Sequence, residues 1–192
     1  MPSPRLPAAG GRLTRVFVAL ARRQYGDPIV ESTEVYAHHR RLAMAFVRFN
    51  RAVEKPDAIP KRLKDLASLK AATMVECEFC IDIGSHLARD EGITDAQLLA
   101  LARPHESGLF SEDELLVLDF ARAASLTPIA VTDEQVEALR ARFGDKGVVE
   151  LAHMVAWENA RARLNGALGI GAGGFSEGRV CALPEREAVQ MV

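Results

Sequence analysis

Residues 61–92 read KRLKDLASLKAATMVECEFCIDIGSHLARDEG. Pro56 and Pro60 bracket the turn before this stretch, and Gly92 stops it. Between these breakers lie two helical segments, one over 61–75 and a second that begins at Glu76-Cys77-Glu78-Phe79-Cys80. No part of the chain sustains period-two alternation with β-branched residues, so the pattern predicts an all-α fold with a Cys-x-x-Cys pair at a helix start.

Upstream, Leu13, Val16, Phe17 and Leu20 fall at i, i+3, i+4 and i+7, which predicts an amphipathic helix over 12–24 ending near Gly26–Pro28. A longer helix is expected over 31–54, with Val35, Leu42, Phe46, Phe49 and Val53 on one face. Downstream, Thr94…Gln97, Ser111…Glu114 and Thr132…Gln135 each fit the capping box, in which the hydroxyl and the residue three on satisfy orphan backbone N–H groups. A last long helix is expected over 146–165, with Val148, Leu151, Ala152 and Val155 on one stripe. Residues 1–11 are expected to form a flexible arm, 12–170 a single helical domain, and the glycine-rich 171–192 an irregular, flexible tail. The glycines after Gly169 are not read as a phosphate loop, because no Gly-Lys-Ser/Thr follows them and no strand precedes them.

A chain of 192 residues can bury a core without disulfide staples. Its 24 basic and 26 acidic residues are scattered and nearly balanced, which argues against nucleic acid as the main partner. The apolar run Val16–Ala21 is flanked by Arg15 and Arg22–Arg23, too short and too charged for a signal peptide or a membrane span. Three cysteines are too few for a disulfide scaffold. The expected compartment is therefore the reducing cytoplasm, where a Cys-x-x-Cys pair points to redox chemistry or metal binding.

Cys77 and Cys80 are neighbours on one helix face, so their sulfurs can bond. A helix N-terminus favours thiolate, and such a pair can attack an oxidant with one sulfur and resolve the product with the other. Two plainer readings stay open, a zinc half-site and inert buried thiols. Zinc wants four ligands, yet no second Cys-x-x-Cys and no His-x₃₋₅-His occurs, and Cys181, His86, His105 and His153 are isolated. No metal and no cofactor is expected.

The stretch Lys64 to His86 resembles the core of the alkylhydroperoxidase D (AhpD)-like / carboxymuconolactone decarboxylase superfamily. So, more loosely, do Tyr36-Ala-His-His-Arg-Arg-Leu-Ala upstream and Trp157-Glu-Asn and Arg163-Leu-Asn downstream, over about residues 30–170. The resemblance implies a homo-oligomeric, AhpD-like helical bundle with the cysteine pair at the start of a central helix. The decarboxylase branch typically lacks that pair, so its presence favours the peroxidase branch. That branch implies a hydroperoxide or small organic substrate and an external thiol or dithiol reductant. It also implies that Cys80 attacks, that Cys77 resolves, and that a carboxylate twelve residues before the first cysteine assists. That position is Asp65, while the branch's histidine position is Gly84, which handles no proton.

His86 does not simply replace it, since a residue six beyond Cys80 lies about 120° away around a helix. Asp65, Asp82, His153 and Glu76 are the other candidates for a proton relay, and Glu76 and Glu78 flank the first cysteine. Gly84 also keeps two alternatives in view. One is a redox-sensing module that oxidises without turnover, the other a decarboxylase-like enzyme in which the cysteines are incidental.

Overall fold

The computed structural model describes residues 4–185, and every regular element among them is helical. The helices are α1 (Arg12–Tyr25), α2 (Val30–Tyr36), α3 (Arg40–Glu54), α4 (Lys61–Val75), α5 (Glu78–Asp90), α6 (Asp95–Ala100), α7 (Pro104–Ser107), α8 (Glu112–Ser125) and α9 (Asp133–Leu168). Helix α4 is the hub and packs on α5, α8 and α9. It can do so because Leu66, Ala67, Leu69, Ala71 and Ala72 are all buried, and its small residues let neighbours approach closely. One apolar cluster lies on the α5 side and contains both cysteines, while a second joins α4, α8 and α9.

All three capping boxes are formed, and they start α6, α8 and α9. The helix expected over 31–54 is interrupted by a 3₁₀ turn at Ala37–His39. His39 leaves helical geometry (φ −124°, ψ 80°), and its Nδ1 accepts the Leu42 N–H at 3.3 Å, which starts α3 afresh. The expected single face is split as a result: Val35 and Val53 are buried, whereas Leu42 and Phe49 are exposed. Helix α9 spans 36 residues but bends at Gly144, whose φ of 68° and ψ of 176° lie outside any helix. The cap at Thr132 and the stripe from Val148 therefore belong to two straight pieces on either side of the bend.

The segment after α9 is irregular but anchored, which differs from the flexible tail expected from its composition. Asp82 on α5 accepts the N–H groups of Gly174 (2.7 Å), Phe175 (3.0 Å) and Ser176 (2.7 Å). The Ser85 hydroxyl oxygen accepts the Ala182 N–H at 3.0 Å. The Lys70 ammonium, buried in α4, donates to the Leu101 carbonyl at 2.9 Å and to the Glu185 carboxylate at 2.7 Å. Ile170 and Ala182 join the core. Residues 169–185 thus form a strap over the helix that carries the cysteines, and the expectation for 186–192 falls outside the described residues. At the other end, Arg5 donates its N–H to the Leu168 carbonyl (2.9 Å) and its guanidinium to the Ala167 carbonyl (2.8 Å), serving the orphan carbonyls that end α9.

Candidate active site

Helix α4 ends at Glu76 in the left-handed conformation (φ 57°, ψ 40°), the single non-glycine residue of positive φ among the described residues. A side chain in that region is disfavoured, and its use here turns the chain sharply into α5. Cys77 becomes the N-cap of α5, and its Sγ accepts the Cys80 N–H at 3.3 Å, the task Ser or Asp performs in most helices. Both thiols are free and both residues are only 6 % exposed.

The groups facing the sulfurs come from α9 and α2. Asn165 Nδ2 lies 3.4 Å from Cys80 Sγ and 3.8 Å from Cys77 Sγ. Its Oδ1 accepts a short hydrogen bond from the Tyr36 hydroxyl. Asn165 is the last of a buried row on α9, Leu151, Val155, Glu158, Ala162 and Asn165, spaced four, three, four and three apart. Glu158 Oε2 accepts from Ser68 Oγ (2.9 Å) and closely from the Arg161 guanidinium, while Oε1 is buried without a partner among the described residues. Arg161 also reaches Asn50 Oδ1 (2.7 Å), which the Trp157 indole N–H shares at 2.8 Å. Tyr36, Phe46, Trp157 and Phe49 pack in series as tilted and edge-on rings, with centroids 5.1, 4.9 and 4.7 Å apart.

This environment separates the two thiols. A hydrogen bond from the Cys80 thiol, assisted by the Cys80 N–H and the Asn165 amide, holds Cys77 below the ordinary thiol range, against burial and the Glu158 charge. Cys80 is pushed well above that range by donating to Cys77, by burial and by Glu158. The two thiols titrate as a coupled pair that loses its protons in two steps, with Cys77 the member held lower. This differs from the order implied by the resemblance, in which Cys80 attacks. The physical reason is chiefly the hydrogen bond that the Cys80 thiol donates to Cys77, to which the N-cap adds the Cys80 backbone N–H. Burial also raises the Tyr36 phenol above its ordinary value, with the two nearby cysteines adding to the effect.

The other residues singled out from the sequence are engaged elsewhere or turned away. Asp65 pairs with Lys61 at 2.7 Å, and its carboxyl is raised by burial against the pull of that lysine. The carboxylate that acts on both sulfurs is Glu158. Asp82 is occupied by the strap. His86 packs its ring 6.2 Å from Phe175, and its Nδ1 is buried with no partner among the described residues. His153 is exposed, with its ring nitrogen 2.8 Å from the Val149 carbonyl, and it lines a 670 Å³ groove with Phe49, Pro56 and Lys146. At Gly84 a Cβ would stand 3.0 Å from Leu69 Cδ1, so the absent histidine is matched by a leucine filling its space. Among the described residues no three His, Cys, Asp or Glu side chains converge as a metal site. Tyr36, Ser68, Glu158 and Asn165 lie in the stretches that carry the resemblance but were given no role there, and Arg161 was not singled out at all. The available signal was two polar residues, Glu158 and Asn165, at core positions of the α9 stripe.

The model of the carboxymuconolactone decarboxylase family matches residues 40–123, the segment from α3 through α8 that carries both cysteines. This family segment, together with the shared helical fold, supports the AhpD-like / carboxymuconolactone decarboxylase superfamily for the chain. It is 36 % identical to protein YnjA of Escherichia coli (strain K12) over 126 residues, which span 66 % of each chain. It is 26 % identical to YdfG of Bacillus subtilis (strain 168) over 116 residues, 60 % of this chain and 79 % of that one. The match thus covers just under two thirds of the length of YnjA. Among solved structures, the AhpD-core, peroxidase-related protein of Ralstonia eutropha JMP134 superposes with a TM-score of 0.77 at 18 % identity, covering 94 % of this chain and 99 % of that one. The debrominase Bmp8, as a cysteine-to-alanine variant in complex with 2,3,4-tribromopyrrole, superposes with a TM-score of 0.69 at 19 % identity, covering 100 % and 99 %. At these identities the likeness establishes the fold of the superfamily.

Proposed function

We propose that the protein is a thiol-dependent oxidoreductase of the alkylhydroperoxidase D type, which cycles Cys77 and Cys80 between dithiol and disulfide. The observation that supports this best is the buried sulfur pair at the start of α5, where one amide reaches both sulfurs and the Cys80 N–H rests on Cys77 Sγ. The Cys77 thiolate attacks one oxygen of a hydroperoxide, the O–O bond breaks, and the departing alkoxide takes a proton to leave as the alcohol. Cys77 is then a sulfenic acid. Cys80 gives up its proton and attacks that sulfur, and hydroxide leaves with the proton as water. An external thiol or dithiol reduces the resulting disulfide. No helix among the described residues is long and apolar enough to cross a membrane, and the reading places this cycle in the cytoplasm, where such reductants are abundant.

A second reading is reductive dehalogenation of a small aromatic ring, in which the same dithiol supplies two electrons and halide leaves. Two observations favour it: Gly84 puts no base beside Cys80, and Tyr36, bonded to the Asn165 that faces the sulfurs, heads a row of aromatic rings.

Stoichiometric hydroperoxide followed by intact mass and peptide mapping tests the first reading. A loss of two hydrogens linking Cys77 to Cys80, with Cys181 unlinked, is expected. Cys80→Ser should stop at a sulfenic acid on Cys77, whereas Cys77→Ser should lose the fast step. Both thiols persisting in folded wild-type protein overturns the proposal. Halide release from a bromopyrrole without peroxide turnover would select the second reading.

A further inference from the structure

We infer that Asn165 is a further donor, beside the Cys80 thiol and backbone N–H, that stabilises thiolate in this site, and that Tyr36 is a positioning residue that fixes which end of the Asn165 amide faces the sulfurs. The inference rests on the redox reading of Cys77 and Cys80 and names the groups that set their charge.

A primary amide has a donor end and an acceptor end, and the two act oppositely on a thiol. With NH₂ toward sulfur the amide favours thiolate, while with the carbonyl toward sulfur it favours the protonated thiol. Asn165 is 2 % exposed, so water does not take over either end. Tyr36 removes the ambiguity. Its hydroxyl donates to Asn165 Oδ1, which turns Nδ2 onto both sulfurs. Burial raises the phenol while Cys77 is held low, so the donated hydrogen bond persists as the first thiol titrates. Tyr36 sits 129 residues before Asn165 on a different helix, and its hydroxyl touches the amide rather than the sulfurs.

A neutral donor suits a site without a histidine at Gly84. It holds charge on sulfur at every working pH and moves no proton itself. It also explains a buried amide in a row of α9 whose other members, Glu158 apart, are apolar. A hydrogen bond to an ionised group is worth enough to move a pKa by about one unit or more.

The test is the thiolate absorbance of reduced protein titrated with base in the absence of any oxidant, for wild type, Asn165→Leu, Asn165→Asp and Tyr36→Phe. Asn165→Leu keeps the bulk and excludes water, and it should raise the first apparent thiol pKa by about one unit, a tenfold loss of thiolate at fixed pH below it. Asn165→Asp should raise it further, because a carboxylate replaces the donor. Tyr36→Phe leaves the amide in place but unlocked, and it should raise the pKa by part of the Asn165→Leu shift. A residue with a purely structural role would lower the melting temperature and leave the titration unmoved. Folded Asn165→Leu and Asn165→Asp proteins that titrate as wild type overturn the inference. If either fails to fold, Tyr36→Phe, which removes one oxygen, decides alone, and an unmoved titration there overturns the assignment of Tyr36. A wild-type protein that forms no Cys77–Cys80 disulfide, yet shows these shifts, overturns the redox reading and leaves the donor assignment standing.

Discussion

A histidine at position 84 sets two effects against each other, and the structure gives a size to both. The Cβ it adds would meet Leu69 Cδ1 at 3.0 Å, and Leu69 is 2 % exposed in the core, so the leucine must shift by a few tenths of an ångström or more. Overpacking of this kind costs about 1–3 kcal/mol, offset in part by about 0.5–1 kcal/mol for removing a glycine from a helix interior. Leu69→Ala alone should cost about 2–5 kcal/mol, through lost burial and the cavity it leaves. The double variant should lose less than the sum, because the imidazole occupies the vacated volume. If proton handling limits turnover, a base one helical turn beyond Cys80 should raise the rate by about 10²–10⁴-fold. Urea denaturation and steady-state hydroperoxide consumption with excess dithiol measure the two effects separately, with Gly84→Ala as the control for bulk. A folded double variant that turns over no faster than Leu69→Ala refutes the reasoning and shows that proton handling does not limit the reaction.

Glu158→Gln removes a negative charge that opposes thiolate on both cysteines, so iodoacetamide alkylation of Cys77 should extend to lower pH than in wild type, opposite in sign to Asn165→Leu. Because Cys77 is already held below the ordinary thiol range, its wild-type alkylation should be half-maximal below that range, and a profile centred on or above it counts against the donation from Cys80. Asp82→Ala leaves three strap N–H groups without their carboxylate and should cost about 3–5 kcal/mol, with amide exchange accelerated first at residues 174–176. Unchanged exchange there would mean that the strap is held by Ser85 and Lys70 instead. Leu13, Val16 and Leu20 are 62, 57 and 62 % exposed on α1, an apolar stripe suited to a second copy of the chain. Light scattering should give a multimer that Leu13→Glu with Leu20→Glu dissociates, and a single-chain mass across tenfold dilution of wild type rules this out.

What could be read in advance was what is decided locally. A capping box is closed by residues three apart, so Thr94, Ser111 and Thr132 declared their helices without help from the rest of the fold. The Cys-x-x-Cys pair is likewise local. The break at residues 37–39 was not legible, because the cap there is a histidine ring, outside the usual set of capping side chains. The strap was misjudged for a different reason. Its glycines suggest freedom, but its partner Asp82 lies 92 residues earlier, and no composition argument reaches that far. The site divides the same way. Glu158 and Asn165 were detectable as polar members of an apolar stripe, whereas the role of Tyr36 became visible only when α2 and α9 were brought together.

The Tyr36–Asn165 contact also has a consequence for the time before folding is complete. During translation Cys80 emerges well ahead of Asn165, and at about 5–20 residues per second the intervening stretch takes on the order of 4–17 s to make. Throughout that interval the nascent dithiol has neither its amide donor nor the covering strap. A newly made molecule therefore meets thiols and oxidants before the groups that tune its site are in place. Its cysteines acquire their distinct characters only when a helix made before them and a residue made well after them meet.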